Sequence, residues 1–179
     1  MAHRRLQSVR ERYSFRCGYC GVSEADVGGE LTVDHFHPIT AGGDEGDENL
    51  VYACVRCNQY KGTLLPDATI GNQDRRLLHP QRDRLTDHVR EVELTGLLEA
   101  LTETERFHIA ALRLNRPALQ VNRQRRQLLA LLEARLEQAL AENAALRQRI
   151  ARLDLYVLYL KERLERPRDA FDDEPERSA

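Results

Sequence analysis

The chain has 179 residues, 41% of them hydrophobic and 31% charged, with a formal net charge of -2, no Trp and one Met. That length suits one or two small domains, and so balanced a charge leaves any attraction for a polyanion to local patches. No apolar run approaches the roughly 18 residues of a membrane span, and the opening Met-Ala-His-Arg-Arg-Leu-Gln lacks the apolar centre of a secretory signal.

A cytoplasmic, reducing setting is therefore expected, in which paired thiols are more often metal ligands than disulfides. Charge is unevenly spread. Residues 1–16 carry Arg4, Arg5, Arg10, Arg12 and Arg16 against the single acid Glu11. Residues 26–48 hold seven acids (Asp26, Glu30, Asp34, Asp44, Glu45, Asp47 and Glu48) and no Lys or Arg. Residues 113–127 carry Arg113, Arg116, Arg123, Arg125 and Arg126 with no acid. An acidic loop beside basic segments suits a divalent cation next to a polyanion, although such charges also serve as plain solvated surface.

Residues 1–65 read as a Cys- and Gly-punctuated mixed domain. It contains two Cys-x-x-Cys pairs, Cys17/Cys20 and Cys54/Cys57, separated by 33 residues (21–53). Each pair can aim two sulfurs at one tetrahedral ion, and four thiolates close its shell, so the four cysteines read as a structural Zn²⁺ site. Such an ion substitutes for a core that about 60 residues build poorly alone. Four unrelated buried cysteines, or a redox dithiol, are the competing readings. Between the pairs, Leu31-Thr-Val-Asp-His-Phe-His-Pro-Ile reads as a strand stopped by Pro38. Cys54-Val-Arg-Cys57 leads into a short helix ending at Gly62. Asn58 and Lys61, three apart, share one face of that helix. A β-hairpin packed on this helix brings Asp34, His35 and Asn58 toward one cation, provided the strand twists or ends there, because neighbours in a regular strand face opposite sides.

Residues 66–101 read as loop-rich, with Pro66, Gly71, Asn72 and Pro80 as breakers. Thr102-Glu-Thr-Glu105 is a capping-box signature that opens a helix through about Asn115, with Phe107, Ala110, Ala111 and Leu114 as its apolar stripe. This extension, residues 66–127, is expected to pack on the first domain. Pro117 restarts a helix, and from Leu129 the pattern is heptadic. Leu129, Leu136, Asn143, Ile150, Val157 and Leu164 fall at a positions, and Leu132, Ala139, Leu146, Leu153 and Leu160 at d. The repeat runs without a stutter through Leu164, some 36 residues or roughly 54 Å of helix. Ile150 and Val157 at a beside Leu at d favour a parallel two-stranded coil, and Asn143 at a is a register-setting residue. Residues 128–166 thus read as a homodimerising coiled coil, against an amphipathic helix docked on its own domain or on another protein. Leu128, Leu131, Leu140 and Leu155 lie off the seam. Residues 167–179 are polar and acidic and read as a disordered tail.

In order and spacing, Cys-x-x-Cys, Asp34-His35-x-x-Pro38, Gly42-Gly43, Asn49-Leu50 and Cys-x-x-Cys57-Asn58-x-x-Lys61 resemble the HNH endonuclease family over roughly residues 10–65. Leu-Arg-Leu-Asn-Arg-Pro at 112–117 is similar to the extension of a bacterial stand-alone subgroup. The resemblance implies an α+β chain: a small zinc-stabilised ββα-metal, treble-clef-like finger, then a mainly α-helical region ending in a long coiled-coil helix. It implies a metal-dependent DNA endonuclease. His35 is the general base that activates water, Asp34 and Asn58 hold a divalent cation, Asn49 fixes the loop and orients the base, and Lys61 contacts phosphate.

Asp34 and Asn58 replace the two terminal histidines of the eponymous motif. Their oxygens make a harder site, favouring Mg²⁺ or Mn²⁺. The extra His37 reads as a surface or packing residue, and no chemistry falls to His79 or His88. Arg116 and Arg123, in the basic segment before the coil, are the preferred contacts to the DNA backbone. No recognition-helix signature implies sequence specificity. The partners expected are nucleic acid, a second copy through 128–166 and a protein that supplies targeting; no membrane is expected. Mobile-element, restriction-like and phage-defence roles all suit such a nuclease. A non-catalytic zinc module that binds nucleic acid, or a scaffold worked by its coil, is the alternative.

Overall fold

A computed structural model describes residues 2–66 and 76–165. Its contacts divide the chain into two units, Met1–Leu129 and Ala130–Ala179. The expected disordered tail, 167–179, lies outside the described residues, as do the breakers Gly71 and Asn72.

The first unit opens with helix α1 (Ala2–Arg12), which buries Val9 completely. A tight knuckle follows: Gly21 donates to the Cys17 carbonyl at 2.8 Å with φ of 75°, and Cys17 donates to the Val22 carbonyl at 2.8 Å. Gly18 is required inside it, because a Cβ there would lie 2.5 Å from Tyr13 Cε1. The one-turn helix α2 (Glu24–Val27) carries a full capping box between Ser23 and Asp26.

Strand β1 (Thr32–His35) pairs antiparallel with β2 (Leu50–Ala53) in the register Thr32↔Ala53, Val33↔Tyr52, Asp34↔Val51 and His35↔Leu50. All four residues of β2 are buried, so this strand of the two-stranded sheet is covered on both faces. Cys54 then caps helix α3 (Val55–Lys61), which stops at Gly62, the residue at which the sequence predicts a stop. The ββα finger is therefore a hairpin with a helix on one face. Its core of Cys17, Tyr19, Leu31, Val51 and Tyr52 is continuous with Leu112, Leu114 and Leu119 of the extension.

The extension holds more regular structure than its sequence predicts. A single turn α4 (Leu85–His88) leads into a hairpin of β3 (Val89–Glu91) and β4 (Leu98–Ala100), antiparallel with Arg90 opposite Glu99. Helix α5 (Glu103–Ala111) opens at Thr102, whose Oγ1 accepts from the Glu105 amide at 3.2 Å. It ends before the expected Asn115, because Arg113 takes a φ of 48° that breaks the turn. Asn115 instead bridges both backbone groups of Leu98 at 2.8 Å each. Helix α6 (Pro117–Glu165) then begins with Pro at its first position, where the missing N–H costs nothing.

In the second unit every described residue, Ala130 to Glu165, is helical and exposed. The predicted seam includes Leu136 at 60%, Leu146 at 55%, Ile150 at 57% and Leu153 at 53% exposure, apolar surface that water does not favour. Among the described residues no helix is long and apolar enough to cross a membrane.

Candidate active site and metal centre

The two knuckles meet as the spacing predicts. The four Sγ atoms of Cys17, Cys20, Cys54 and Cys57 all lie within 4.8 Å of one another, with Cys20 and Cys54 3.8 Å apart and no disulfide formed. Tetrahedral zinc–sulfur bonds of about 2.3 Å put sulfurs about 3.8 Å apart, so the cluster fits a zinc ion with its shell closed. Cys54 sits at the N-cap of α3, and its sulfur accepts from the Cys57 amide at 3.4 Å. That helix terminus favours a thiolate. Hydrogen bonds from Cys17 first, then Cys20 and Cys57, pull the Cys54 thiol down, while the same crowding pushes Cys57 up.

A polar layer lies between β1 and α3. Thr32 and Asp34 share one face of β1 by alternation. Asn58 donates through Nδ2 to Thr32 Oγ1 at 3.2 Å, and Thr32 Oγ1 donates to the Ala53 carbonyl at 3.0 Å. One turn on, Lys61 donates to the His35 carbonyl at 2.6 Å and lies 3.3 Å from Asp34 Oδ2. Tyr19, in the first knuckle, donates its hydroxyl to the same Oδ2 at 2.7 Å. Asp34 is only 8% exposed. Burial pushes its carboxyl up, against the downward pull of Lys61 and Tyr19. Burial, then the Asp34 charge, holds the Tyr19 phenol well above its ordinary range, so it stays a donor.

His35 is the last residue of the strand, and its partly exposed ring makes no hydrogen bond among the described residues. Asn49, on the loop returning to β2, accepts from the His37 amide at 2.7 Å and donates to the carbonyls of His37 at 3.0 Å and Asp44 at 2.7 Å. It thereby fastens both ends of the loop that follows His35. His37 is half-buried, and its Nδ1 has no partner among the described residues. His79 packs edge-on against Phe36 and its Nε2 lies 3.0 Å from the Glu48 carbonyl oxygen. His88 pairs with Thr102 Oγ1 at 3.2 Å.

Three residues expected to contact substrate make internal contacts in the structure. Lys61 is 2% exposed and committed to Asp34 and His35, which leaves no ammonium for a phosphate. Arg123 is 3% exposed and donates to the carbonyls of Gly96 at 2.7 Å and Leu114 at 2.5 Å, closing the β3–β4 turn onto α6. Arg116 turns inward to the cysteine cluster. A count of basic residues cannot distinguish a guanidinium that faces solvent from one that satisfies buried carbonyls. Tyr19 and Thr32 were not singled out in the sequence, and their only signal was position: one lies within a knuckle, the other two residues before Asp34.

Residues 17–64 match the family model described as HNH endonuclease. No curated protein and no solved structure matches the chain. The match contains all four cysteines together with Asp34, His35, Asn49, Asn58 and Lys61. Residues 17–64 thus form a domain that matches the HNH endonuclease family, built around a four-cysteine cluster suited to structural zinc.

Proposed function

We propose that this protein is a metal-dependent DNA endonuclease in which His35 is the general base. The observation that carries this reading is the Asp34 carboxylate. It is buried, oriented by Tyr19 and Lys61, and adjacent in the strand to a histidine whose ring has no structural hydrogen bond to maintain. A purely binding module has no use for a costly buried carboxylate beside a free imidazole.

Asp34 and Asn58 would hold the divalent cation, Mg²⁺ or Mn²⁺. Both have oxygen to offer. Asn58 spends its Nδ2 on Thr32, and among the described residues Asp34 Oδ1 has only the 3.4 Å contact to Lys61. Hard oxygen donors suit such a cation, which when bound would supply positive charge for the phosphorane and the departing 3′ oxygen. The remaining chemistry belongs to the chain. His35 takes the proton of the attacking water. Lys61 ties the His35 backbone to Asp34, and Asn49 holds the following loop so that the base stays aimed.

The second unit supports a dimer. Exposed a and d residues form one seam, and in a parallel pair Glu142 would meet Arg147 of the second copy and Arg149 its Asp154. Such a pair holds two fingers in one particle, able to cut both strands or two sites. Leu155 and Leu158 are 68% and 56% exposed and lie off that seam, which favours an additional protein contact supplying targeting. The direct test is nicking of supercoiled plasmid with Mg²⁺ or Mn²⁺, together with single-stranded DNA and RNA substrates. Wild type should cut and His35→Ala should lose about 10²–10⁴-fold. Equal inertness of both proteins on every substrate and metal, with binding retained, would leave the non-catalytic zinc module as the answer.

A further inference from the structure

The turn between α5 and α6 lies outside the matched domain, yet it sends one side chain into the metal centre. Nη2 of Arg116 stands 3.7 Å from Cys54 Sγ, 3.7 Å from Cys57 Sγ and 4.0 Å from Cys20 Sγ. Its Nη1 donates to the carbonyls of Leu112 and Arg113, each at 3.2 Å. The guanidinium lies 5.6 Å from the ring centroid of Tyr60, on α3. One nitrogen thus serves the cluster and the other serves the turn that carries it.

The charge balance gives this geometry a purpose. Four thiolates around a divalent zinc carry a net charge of about -2. Three of the four cysteines are buried, so that charge is poorly solvated. Arg is suited to the position, being always cationic, weakly hydrated and planar, with several N–H donors. Sulfur lone pairs that accept such donors are stabilised as thiolates, and groups that hydrogen-bond metal ligands tune affinity strongly.

We infer that Arg116 is the counter-charge of the zinc centre, a positioning residue supplied to the finger by the extension. The family-matched segment would then bind zinc weakly without it. Zinc binding and the docking of residues 112–123 stabilise each other, because coupling between two events is reciprocal. The inference concerns the cysteine cluster alone and holds whether or not the protein cuts nucleic acid.

The competing explanation is that Arg116 merely staples the turn through its two carbonyl contacts. Zinc affinity of the full chain, measured by competition with a chromophoric chelator, separates the two. Arg116→Gln should weaken zinc by about 10–100-fold, and an unchanged affinity would overturn the inference. In the cobalt-substituted protein, loss of the cation should move the thiolate-to-metal charge-transfer band to lower energy; a band that does not move also overturns it.

Gln120→Ala removes a bond to the Asn115 carbonyl in the same turn without touching sulfur. It should leave affinity and band as in wild type, and a loss equal to that of Arg116→Gln shows the staple instead. Arg116→Lys keeps the cation and serves if the Gln variant does not fold. It should lose less than about tenfold, and a loss of about a hundredfold sinks the charge argument. Chelating zinc from the wild-type chain should speed amide exchange across residues 112–123; unchanged exchange there refutes the coupling.

Discussion

The ammonium of Lys61 lies 3.3 Å from the Asp34 carboxylate, with side-chain exposures of 0% and 9%. Neither charge can be solvated by water, so each depends on the other. Removing one partner of such a pair typically costs about 3–5 kcal/mol, because the survivor stays buried and unpaired. Lys61→Met should therefore lower the urea midpoint sharply, and Asp34→Asn/Lys61→Met should recover part of the loss. Burial already raises the Asp34 carboxyl, and loss of Lys61 raises it further. A folded-state value above the unfolded one gives stability that is full at low pH and lost as pH rises through the folded value. Lys61→Met should thus become more alkali-sensitive than wild type. Additive single losses in the double variant would show that the pair is not energetically coupled.

Asn49 ties the loop after His35 at His37 and at Asp44. Asn49→Ala forfeits three hydrogen bonds, two to the backbone of His37 and one to Asp44. A cost of about 1–3 kcal/mol follows from the buried groups left unpaired. Amide exchange at His37 should accelerate by at least tenfold while exchange in α3 stays as it was. Gly43→Ala should loosen the same loop by another route, since its Cβ would fall 2.0 Å from the His37 carbonyl oxygen. Unchanged protection at His37 in both variants would contradict the clamp.

How much of this was legible in the sequence varied with the type of signal. Thr32–His35, α3 and its stop at Gly62, the Thr102 cap and the Pro117 start all follow local rules, because each depends on backbone preferences of the residues named. The cysteine cluster was legible because metal geometry ties spacing to chemistry. The β3–β4 hairpin was not, since strands of three residues leave too little alternation to read. The roles of Lys61, Arg116 and Arg123 also escaped, because each is fixed by a partner distant in sequence: Asp34, Cys54 and Gly96. The half of the capping box that fails is equally instructive. The Glu105 amide reaches Thr102, but the Glu105 carboxylate is buried and returns no bond.

That carboxylate makes stability pH-dependent together with its neighbour on α5. Glu105 is fully buried with both oxygens unpaired among the described residues, and burial pushes it up to about 8. His108 is 2% exposed and accepts at Nδ1 from the Leu78 amide at 3.1 Å, and burial pushes it down to about 4. The signs oppose. The Glu105 contribution is complete below its unfolded value near 4.5 and is lost as pH rises toward 8. The His108 contribution is complete above its unfolded value near 6.5 and is lost as pH falls toward 4. The two slopes cancel between about pH 4.5 and 6.5, so stability should be level there, fall by about 2 kcal/mol as pH rises from 6.5 toward 8, and fall by less below 4.5. Glu105→Gln should remove the alkaline fall and keep the acid one, read from thermal midpoints between pH 4 and 9. An alkaline limb of unchanged slope in Glu105→Gln would exclude this carboxyl as its source.

The exposed seam of α6 sets the last prediction. An isolated helix whose Leu132, Leu136, Leu146 and Leu153 are each half or more exposed is poorly stabilised in water, because propensity alone rarely holds long helices. Pairing with a second copy covers that surface. Light scattering at micromolar concentration should give a dimer for the wild type and a monomer for Leu146→Glu/Leu153→Glu, with the first unit still folded. Asn143, at an a position, now donates to the Ala139 carbonyl of its own helix at 2.9 Å. Asn143→Leu should raise the melting temperature of the coil while losing its single oligomeric state, since a polar a residue trades stability for register. If the wild type runs as a monomer and Asn143→Leu changes neither midpoint nor mass, the seam faces some other protein, and the proposed two-site particle does not form.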